Sequence, residues 1–334
     1  MNLIITNLCN RSCPYCFARQ KVYLSKEKNI ADQTQDHISI SNVEIYLDFL
    51  ENDLIKELKL LGGEPTLHPK LPEIIERGLR RNMKPIIFSN GLWPEAIKEY
   101  FSRKHDQEIS FVINVNEPHL QSNKENNHQR ECLKIAGNRA MLSFNIYREN
   151  FDLLFTIHLI ESLGLKREIR IGLANPIIRT KNSYIRSSAL KKVGKRLVTK
   201  LKELEKYDIL GSLDCGFPLC MFNEKDLGSL TLTTRQGFAS MCGSVIDVGP
   251  DLNLWHCFPL SGILNRNLRD FKNKEEIDKY YYDKFKSIRN IGSMNECINC
   301  KYLKRGQCTG GCLGRTIRSI ESSGDPRLVE KICA

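Results

Sequence analysis

The sequence predicts an α/β protein: six strand–helix units that build a largely parallel sheet, followed by a smaller region organised by cysteine. Three observations point there. Through about residue 175, short apolar runs alternate with segments of helical periodicity. The residues that close each apolar run are polar or glycine. Nine of the thirteen cysteines then fall between residues 215 and 333. Strands separated by helices pair in parallel through right-handed crossovers, and sites in such folds collect at the C-terminal ends of the strands.

The first run, Leu3–Thr6, ends at a loop holding three cysteines. A helix over Val43–Glu51 leads to a second run, Leu58–Leu61, which stops at Gly62-Gly63-Glu64-Pro65. A helix near Pro72–Arg81 precedes Ile86-Ile87-Phe88, closed by Ser89-Asn90-Gly91. Further strands read at Ile109–Val115, Leu142–Ile146 and Ile169–Gly172, with helices near Gln129–Ile135 and Phe151–Leu163. The asparagine-rich stretch 116–127 reads as a loop. The organisation expected is a first domain over residues 1–178, a basic helical linker over 179–213 and a cysteine-rich domain over 214–334. Within the linker, residues 179–206 carry ten Lys and Arg against only Glu203 and Glu205. A solvated helix face is the plain reading of that run, and an anion- or peptide-docking face the sharper one. Beyond residue 214 the segments are too short for a large apolar core, so metal is expected to organise them.

A chain of 334 residues can bury a sizeable core. No run of 18 apolar residues occurs, and no signal h-region precedes the first cysteines, so the expected location is cytoplasmic, without membrane anchoring. Thiols in a reducing compartment more often bind metal or act in redox chemistry than form bridges. The net charge of +11 raises nucleic acid as a partner, but no RNP, KH or zinc-finger spacing and no aromatic-interleaved basic stripe accompanies it. Anionic thiolate clusters, anionic substrates or acidic peptides account for the charge equally well. Nucleic acid is therefore not the expected substrate.

Cys9, Cys13 and Cys16 stand in the spacing C-x3-C-x2-C on the loop after the first strand. Three thiolates on one short loop can hold three irons of a [4Fe–4S] cube and leave the fourth without a protein ligand. A zinc site is the competing reading, but zinc usually takes four ligands, and the fourth is missing here. This spacing, with aromatic Tyr15 before the last cysteine, resembles the signature of the radical S-adenosylmethionine (SAM) superfamily. Gly62-Gly63-Glu64-Pro65, at the end of the second strand, is similar to that family's second motif.

The resemblance implies a partial (β/α)6 TIM-type barrel. It also implies that SAM's amino and carboxylate groups bind the open iron, and that one electron cleaves SAM to a 5′-deoxyadenosyl radical, which abstracts hydrogen. Cofactor contacts are then expected from Tyr15, Gly62, Gly63 and Glu64, from Ser89, Asn90 and Asn114, from Ser143 and Asn145, and from Leu173 against the adenine.

Cys242-x14-Cys257, Cys297-x2-Cys300-x7-Cys308-x3-Cys312 and Cys333 resemble the SPASM extension of radical SAM peptide maturases, which holds two auxiliary [4Fe–4S] clusters. By that pattern Cys242, Cys257 and Cys312 share one cluster with an upstream cysteine, and Cys297, Cys300, Cys308 and Cys333 hold the other. Either Cys215 or Cys220 is the upstream ligand. Two departures stand out: Leu252 occupies the family's glycine position, and the third spacing is seven residues instead of five. Cys132 reads as a buried apolar residue, and His68, after the glycine turn, as a surface histidine.

The family's commonest task is modifying a peptide or protein side chain by crosslinking, oxidation or epimerisation. In its sulfatase-activating branch an Asp follows the second SPASM cysteine as base; here that position is Phe258, and Asp214 beside Cys215 is the candidate acid/base or substrate-holding residue. The resemblance also implies an electron donor such as flavodoxin or ferredoxin. Many maturases begin with a leader-binding domain of some eighty residues, whereas this sequence reaches Cys9 almost at once. Leader recognition is therefore expected from a separate protein or from the basic segment. The alternative function is a radical SAM dehydrogenase or epimerase of a small metabolite such as a sugar.

Overall fold

A computed structural model describes residues 1–24, 36–105, 108–234, 240–243, 245–289 and 291–322. Cys333 lies outside the described residues. The chain opens with strand β1 (Asn2–Thr6) and the two-residue pair β2 (Leu8–Cys9) and β3 (Tyr23–Leu24). Then come helix α1 (Ile40–Asn52), β4 (Glu57–Gly62), α2 (Leu71–Arg80), β5 (Lys84–Ser89) and α3 (Glu95–Ser102). These are followed by β6 (Ser110–Asn114), α4 (Asn123–Ala136), β7 (Ala140–Ile146), α5 (Leu154–Leu163) and β8 (Glu168–Leu173). Strands β1, β4, β5, β6, β7 and β8 pair in parallel in that order, as the alternating pattern predicts.

The helices are dictated by spacing. Leu71, Ile74, Ile75 and Gly78 of α2 fall on one face and are buried, while Glu73 and Arg77 pair on the other. The strands have cover on both faces: Leu3, Ile4 and Ile5 of β1 are all fully buried. Trp93, Phe101 and Phe111 meet in the core with ring centroids 4.8–5.1 Å apart.

The segment expected as a linker is part of the wall. Helix α6 (Leu190–Glu205) buries Leu190, Val193, Leu197, Val198, Leu201 and Leu204, and β9 (Leu210–Leu213) pairs in parallel with β8. The lysines mask an apolar stripe that repeats every three or four residues. The correction to 179–213 is physical: that stripe needs a partner and finds it on the sheet.

After α7 (Glu224–Thr233), strands β10 (Asp247–Val248), β11 (Asn253–Trp255) and β12 (Arg266–Asn267) extend the sheet beyond β1. The order is β12-β11-β10-β1-β4-β5-β6-β7-β8-β9, open at both ends among the described residues. Helices α8 (Lys274–Arg289), α9 (Lys301–Lys304) and α10 (Leu313–Ser322) complete the C-terminal region.

Two further expectations need correcting. The stretch 116–127 is not all loop: Ser122 and Glu125 form a reciprocal capping box that starts α4 at Asn123. His68 is not on the surface but 2% exposed, with Nδ1 accepting from the Lys70 amide (3.0 Å) and Nε2 donating to Ile38 O (3.1 Å). Cys132 is buried in the core, as read. Leu252 adopts φ +63° and is fully buried, so the left-handed turn between β10 and β11 is made without glycine.

Candidate radical cofactor site and auxiliary thiols

The C-terminal ends of the parallel strands converge on the first cysteine loop. Gly62 and Gly63 end β4 where β1 and β2 run alongside, and the Gly63 and Glu64 amides donate to Thr6 O (2.9 Å) and Leu8 O (2.8 Å). A Cβ at Gly62 would lie 2.6 Å from Thr6 O. One at Gly63 would lie 2.5 Å from the Leu8 carbonyl carbon and 2.9 Å from Cys9 Cβ. Only glycine lets the turn approach the loop this closely.

Glu64 and Ser89, expected against the cofactor, direct their polar atoms into the protein. The fully buried Glu64 carboxylate accepts from Thr66 N (3.2 Å), Thr66 Oγ1 (2.7 Å), Ser89 Oγ (2.8 Å) and Asn90 N (2.7 Å). Burial raises its pKa against the pull of these donors. Ser89 Oγ also accepts from Trp93 Nε1 (2.8 Å) and Gly91 N (3.0 Å). Both residues are positioning groups that tie β4 to β5.

Asn90 reaches the loop itself, donating from Nδ2 to Asn10 Oδ1 (2.8 Å) and pointing at Cys9 Sγ (3.9 Å). A relay crosses the mouth: Asn145 Nδ2 donates to Asn114 Oδ1 (2.7 Å), Asn114 Nδ2 to Tyr15 Oη (2.7 Å), and Tyr15 Oη to Asn116 Oδ1 (2.5 Å). The loop's tyrosine is thereby fixed to the ends of β6 and β7, and its ring lies 4.7 Å from Tyr147. Gln129, absent from the expected set, donates to the carbonyls of Asn90 (2.6 Å) and Asn114 (3.1 Å) and holds β5 and β6 together at the mouth. Nothing in its sequence context marks it. Leu173 ends β8 with its carbonyl accepting from Asn175 Nδ2 (2.8 Å).

At the far side of the mouth Asp214 forms an ion pair with Arg170, whose Nη1 donates to Ser143 Oγ (3.3 Å). Gly172 lies between Asn145 and Asp214; a Cβ there would overlap Asn145 Oδ1 and sit 3.9 Å from Asp214 Oδ2. The sequence signal for Arg170 is a cation set between Ile169 and Ile171 in an apolar strand. Phe258 is buried against Phe17 (5.2 Å) and Trp255 (5.8 Å) and offers no acid/base group.

The three loop thiols are crowded and desolvated. Burial first, then Glu64, pushes Cys9 up to about 12. Burial and then Cys13 push Cys16 up to about 11, and burial raises Cys13 against the pull of Arg11. Such thiols ionise only with a compensating cation, as iron would supply. Arg11 adds a second sign of fit: its Nη1 and Nη2 are buried without a hydrogen-bond partner among the described residues, as suits an anionic cluster beside them. Among the described residues no three His, Cys, Asp or Glu side chains converge as ligands of one ion would. A cube whose thiolates each take a different iron asks for wider spacing.

The C-terminal cysteines fall into two neighbourhoods. Cys257 feels Cys312, Cys242 and Cys215, and burial raises it well above its ordinary value. Cys312, pushed up to about 12 by burial and then Cys242, precedes the N-terminus of α10. Amides of that first turn oppose the rise, Leu313 for Cys242 and Gly314 and Arg315 for Cys312, while the Arg315 amide donates to Cys312 O (2.9 Å). Among the described residues the buried Arg315 guanidinium donates only to the neutral oxygens Asn175 Oδ1 (2.6 Å), Ile185 O (2.6 Å) and Ala174 O (3.3 Å), which leaves its charge to balance nearby anions. Cys215 is open to solvent on one side yet hemmed in by protein, and burial, Asp214, Cys312 and Cys242 all raise it. The other neighbourhood holds Cys220, Cys297, Cys300 and Cys308.

Residues 3–120 match the Radical SAM superfamily family model. No curated protein sequence matches the chain. Among solved structures, Streptococcus suis SuiB bound to S-adenosylmethionine is similar with TM-score 0.62 and 14% identity over 95% of this chain and 73% of that one. SuiB bound to its precursor peptide SuiA gives TM-score 0.63 and 14% identity over 95% and 72%. Histidine-tagged anSMEcpe with bound AdoMet gives TM-score 0.60 and 16% identity over 99% and 98%. These likenesses show a shared fold.

Proposed function

We propose, from the premise that this chain carries a radical SAM domain and is a radical SAM enzyme, that its substrate is a peptide or protein side chain. The observation that carries the reading is the fold: it is shared over 95% of the chain with a structure holding a precursor peptide, cysteine-rich region included. Cys9, Cys13 and Cys16 would hold the [4Fe–4S] cluster that binds SAM, and the C-terminal cysteines two more. When bound and reduced, by a donor such as flavodoxin or ferredoxin, the first cluster supplies the electron that cleaves SAM to the 5′-deoxyadenosyl radical, which takes hydrogen from the substrate.

The chain's own part is placement. The glycine turn and Asn90 hold the loop, and the Tyr15–Asn114–Asn145 relay fixes the wall against which SAM would lie. Asp214, held by Arg170 at the mouth and next to Cys215, stands where a substrate would meet both the radical and the auxiliary thiols. It is the proposed proton acceptor or substrate holder, with Phe258 ruled out of that role by its apolar burial. Reaction outcomes within this reading are a crosslink, an oxidation or an epimerisation.

The basic face of α6 supports an acidic peptide. Lys191, Lys192, Lys195 and Arg196 are exposed there, Lys192 paired with Glu149 (2.9 Å) and Arg196 packed over the Phe151 ring (5.7 Å) and donating to Phe151 O (2.7 Å). Acidic peptides encoded beside this gene, or a leader carried by a separate protein, are the substrates to assay. Replacing Lys191, Lys192 and Lys195 by Gln should raise KM several-fold, flatten its salt dependence and leave kcat nearly unchanged. An unaltered KM, with no salt effect in the wild type, moves the substrate to a small neutral metabolite.

A further inference from the structure

We propose that Cys220, with Cys297, Cys300 and Cys308, completes the second auxiliary cluster site, so that this cluster does not require Cys333. The proposal rests on the reading that the C-terminal cysteines hold two clusters. Spacing alone leaves Cys215 and Cys220 interchangeable as one upstream ligand; the fold separates them.

Cys220 sits in a single 3-10 turn, Leu219–Met221, anchored on several sides. Met221 and Phe222 are buried in the core, and α6 presses on the turn through Gly194, where a Cβ would lie 2.8 Å from Met221 Cγ and 3.0 Å from its carbonyl carbon. Ser240 then links this segment to Cys308: its Oγ donates to Phe217 O (2.6 Å) and lies 3.2 Å from Cys308 Sγ, and its backbone bridges to Cys308. The Cys308–Cys312 loop closes from another side, since a Cβ at Gly311 would be in ordinary contact with Pro218 Cβ at 3.6 Å. Just past the turn, Glu224 at the start of α7 pairs with Lys301, the residue after Cys300, at 2.9 Å. These contacts tie the turn to the segments that carry Cys300 and Cys308.

The other ligands are presented together. Cys297 lies in the 3-10 turn Asn295–Asn299 and its carbonyl accepts from the Cys300 amide (3.1 Å), so both thiols leave one compact turn. Cys308 Sγ accepts from the Gly310 amide (3.3 Å), the kind of donor that favours a bound thiolate. Gly292 leaves room for Cys297, because a Cβ there would sit 2.7 Å from its Sγ. Cys215 lies elsewhere: a Cβ at Gly216, the residue after it, would be 3.6 Å from Cys312 Cβ. Each set thus has four thiols, the number a closed [4Fe–4S] site takes.

The test uses full-length protein with Cys9, Cys13 and Cys16 replaced by Ala, so that only auxiliary iron remains, reconstituted anaerobically and read by iron content, EPR and Mössbauer spectra. This parent should hold about eight irons. A parent with markedly less iron overturns the two-cluster reading itself, independently of Cys220. Given a full parent, Cys220→Ala should lose up to about four irons or convert one cube to a three-iron form, while Cys333→Ala keeps iron and spectra. Cys220→Ser guards against a mere folding defect. Its alkoxide can ligate iron, so iron should be retained with one cluster's spectrum shifted, whereas a purely structural cysteine would leave that spectrum unchanged. Unchanged iron and spectra in both Cys220 variants, or loss of a cluster in Cys333→Ala, overturns the proposal.

Discussion

Gly63→Ala probes how tightly the second strand's end must meet the cysteine loop. The added methyl would overlap the Leu8 carbonyl oxygen and stand 2.5 Å from its carbon, so the loop strand must retreat by at least about 0.9 Å to reach ordinary contact at 3.4 Å. Backbone, not a flexible side-chain end, is what would have to move, and two hydrogen bonds, Gly63 N to Thr6 O and Glu64 N to Leu8 O, run through the same contact. Overpacking of this kind costs about 1–3 kcal/mol, a modest loss for a chain of this size. The functional effect should be larger. Metal–ligand distances tolerate about 0.2 Å, and Cys9 Cβ lies 2.9 Å from the added atom. Misplacement near 1 Å costs about 10²-fold in rate. The variant should therefore fold, hold up to about four irons fewer and form 5′-deoxyadenosine at least about 10²-fold more slowly with dithionite and SAM, measured by HPLC, with no release where the first cluster is lost outright. Gly228→Ala is the control: nothing lies within 4 Å of a Cβ there, and the exposed helical site should gain about 0.5–1 kcal/mol. Full iron content and wild-type turnover in Gly63→Ala would refute the geometric argument.

Two stability measurements examine residues whose environment the sequence misrepresents. Burial holds His68 down to about 4, against 6.5 for a free histidine, so the unfolded chain binds a proton that the folded one refuses. Stability should fall by up to about 3 kcal/mol as pH drops from 6.5 to 4; in urea titrations His68→Gln should flatten that slope, and an unchanged slope contradicts the assignment. Leu252→Gly relieves a left-handed backbone worth about 1–2 kcal/mol but removes a fully buried side chain worth about 2–5 kcal/mol. A net loss of about 1–3 kcal/mol is expected, and stabilisation would show that the backbone outweighs the packing.

The parallel order of the first six strands is legible because each apolar run ends in a polar or glycine punctuation. The first cysteine loop and the glycine turn are legible for the same reason: chemistry that needs close spacing leaves short motifs. Helix α3 leaves little trace because its eight residues offer little periodicity, though Pro94 and Glu95 mark its start. The start of α4 is hidden by asparagines, with the Ser122 and Glu125 capping pair as the signal that gives it away. Helix α6 reads as a linker because charge on one face obscures the apolar stripe on the other. The proposed division of thiols between Cys215 and Cys220 is not legible at all, since they stand five positions apart and the turn at Leu219–Met221 that holds Cys220 leaves no motif. Arg170 and Asp214 meet because β8 and β9 pair, a register invisible in one dimension.

The most direct measurement of the central claim is SAM cleavage without substrate. Anaerobically reconstituted wild type, holding about twelve irons, should release 5′-deoxyadenosine with dithionite and SAM. Cys13→Ala should abolish that release, while Cys300→Ala, which leaves the first cysteine loop intact, should retain part of it. Equal release by wild type and Cys13→Ala, or none from fully loaded wild type, would contradict the account.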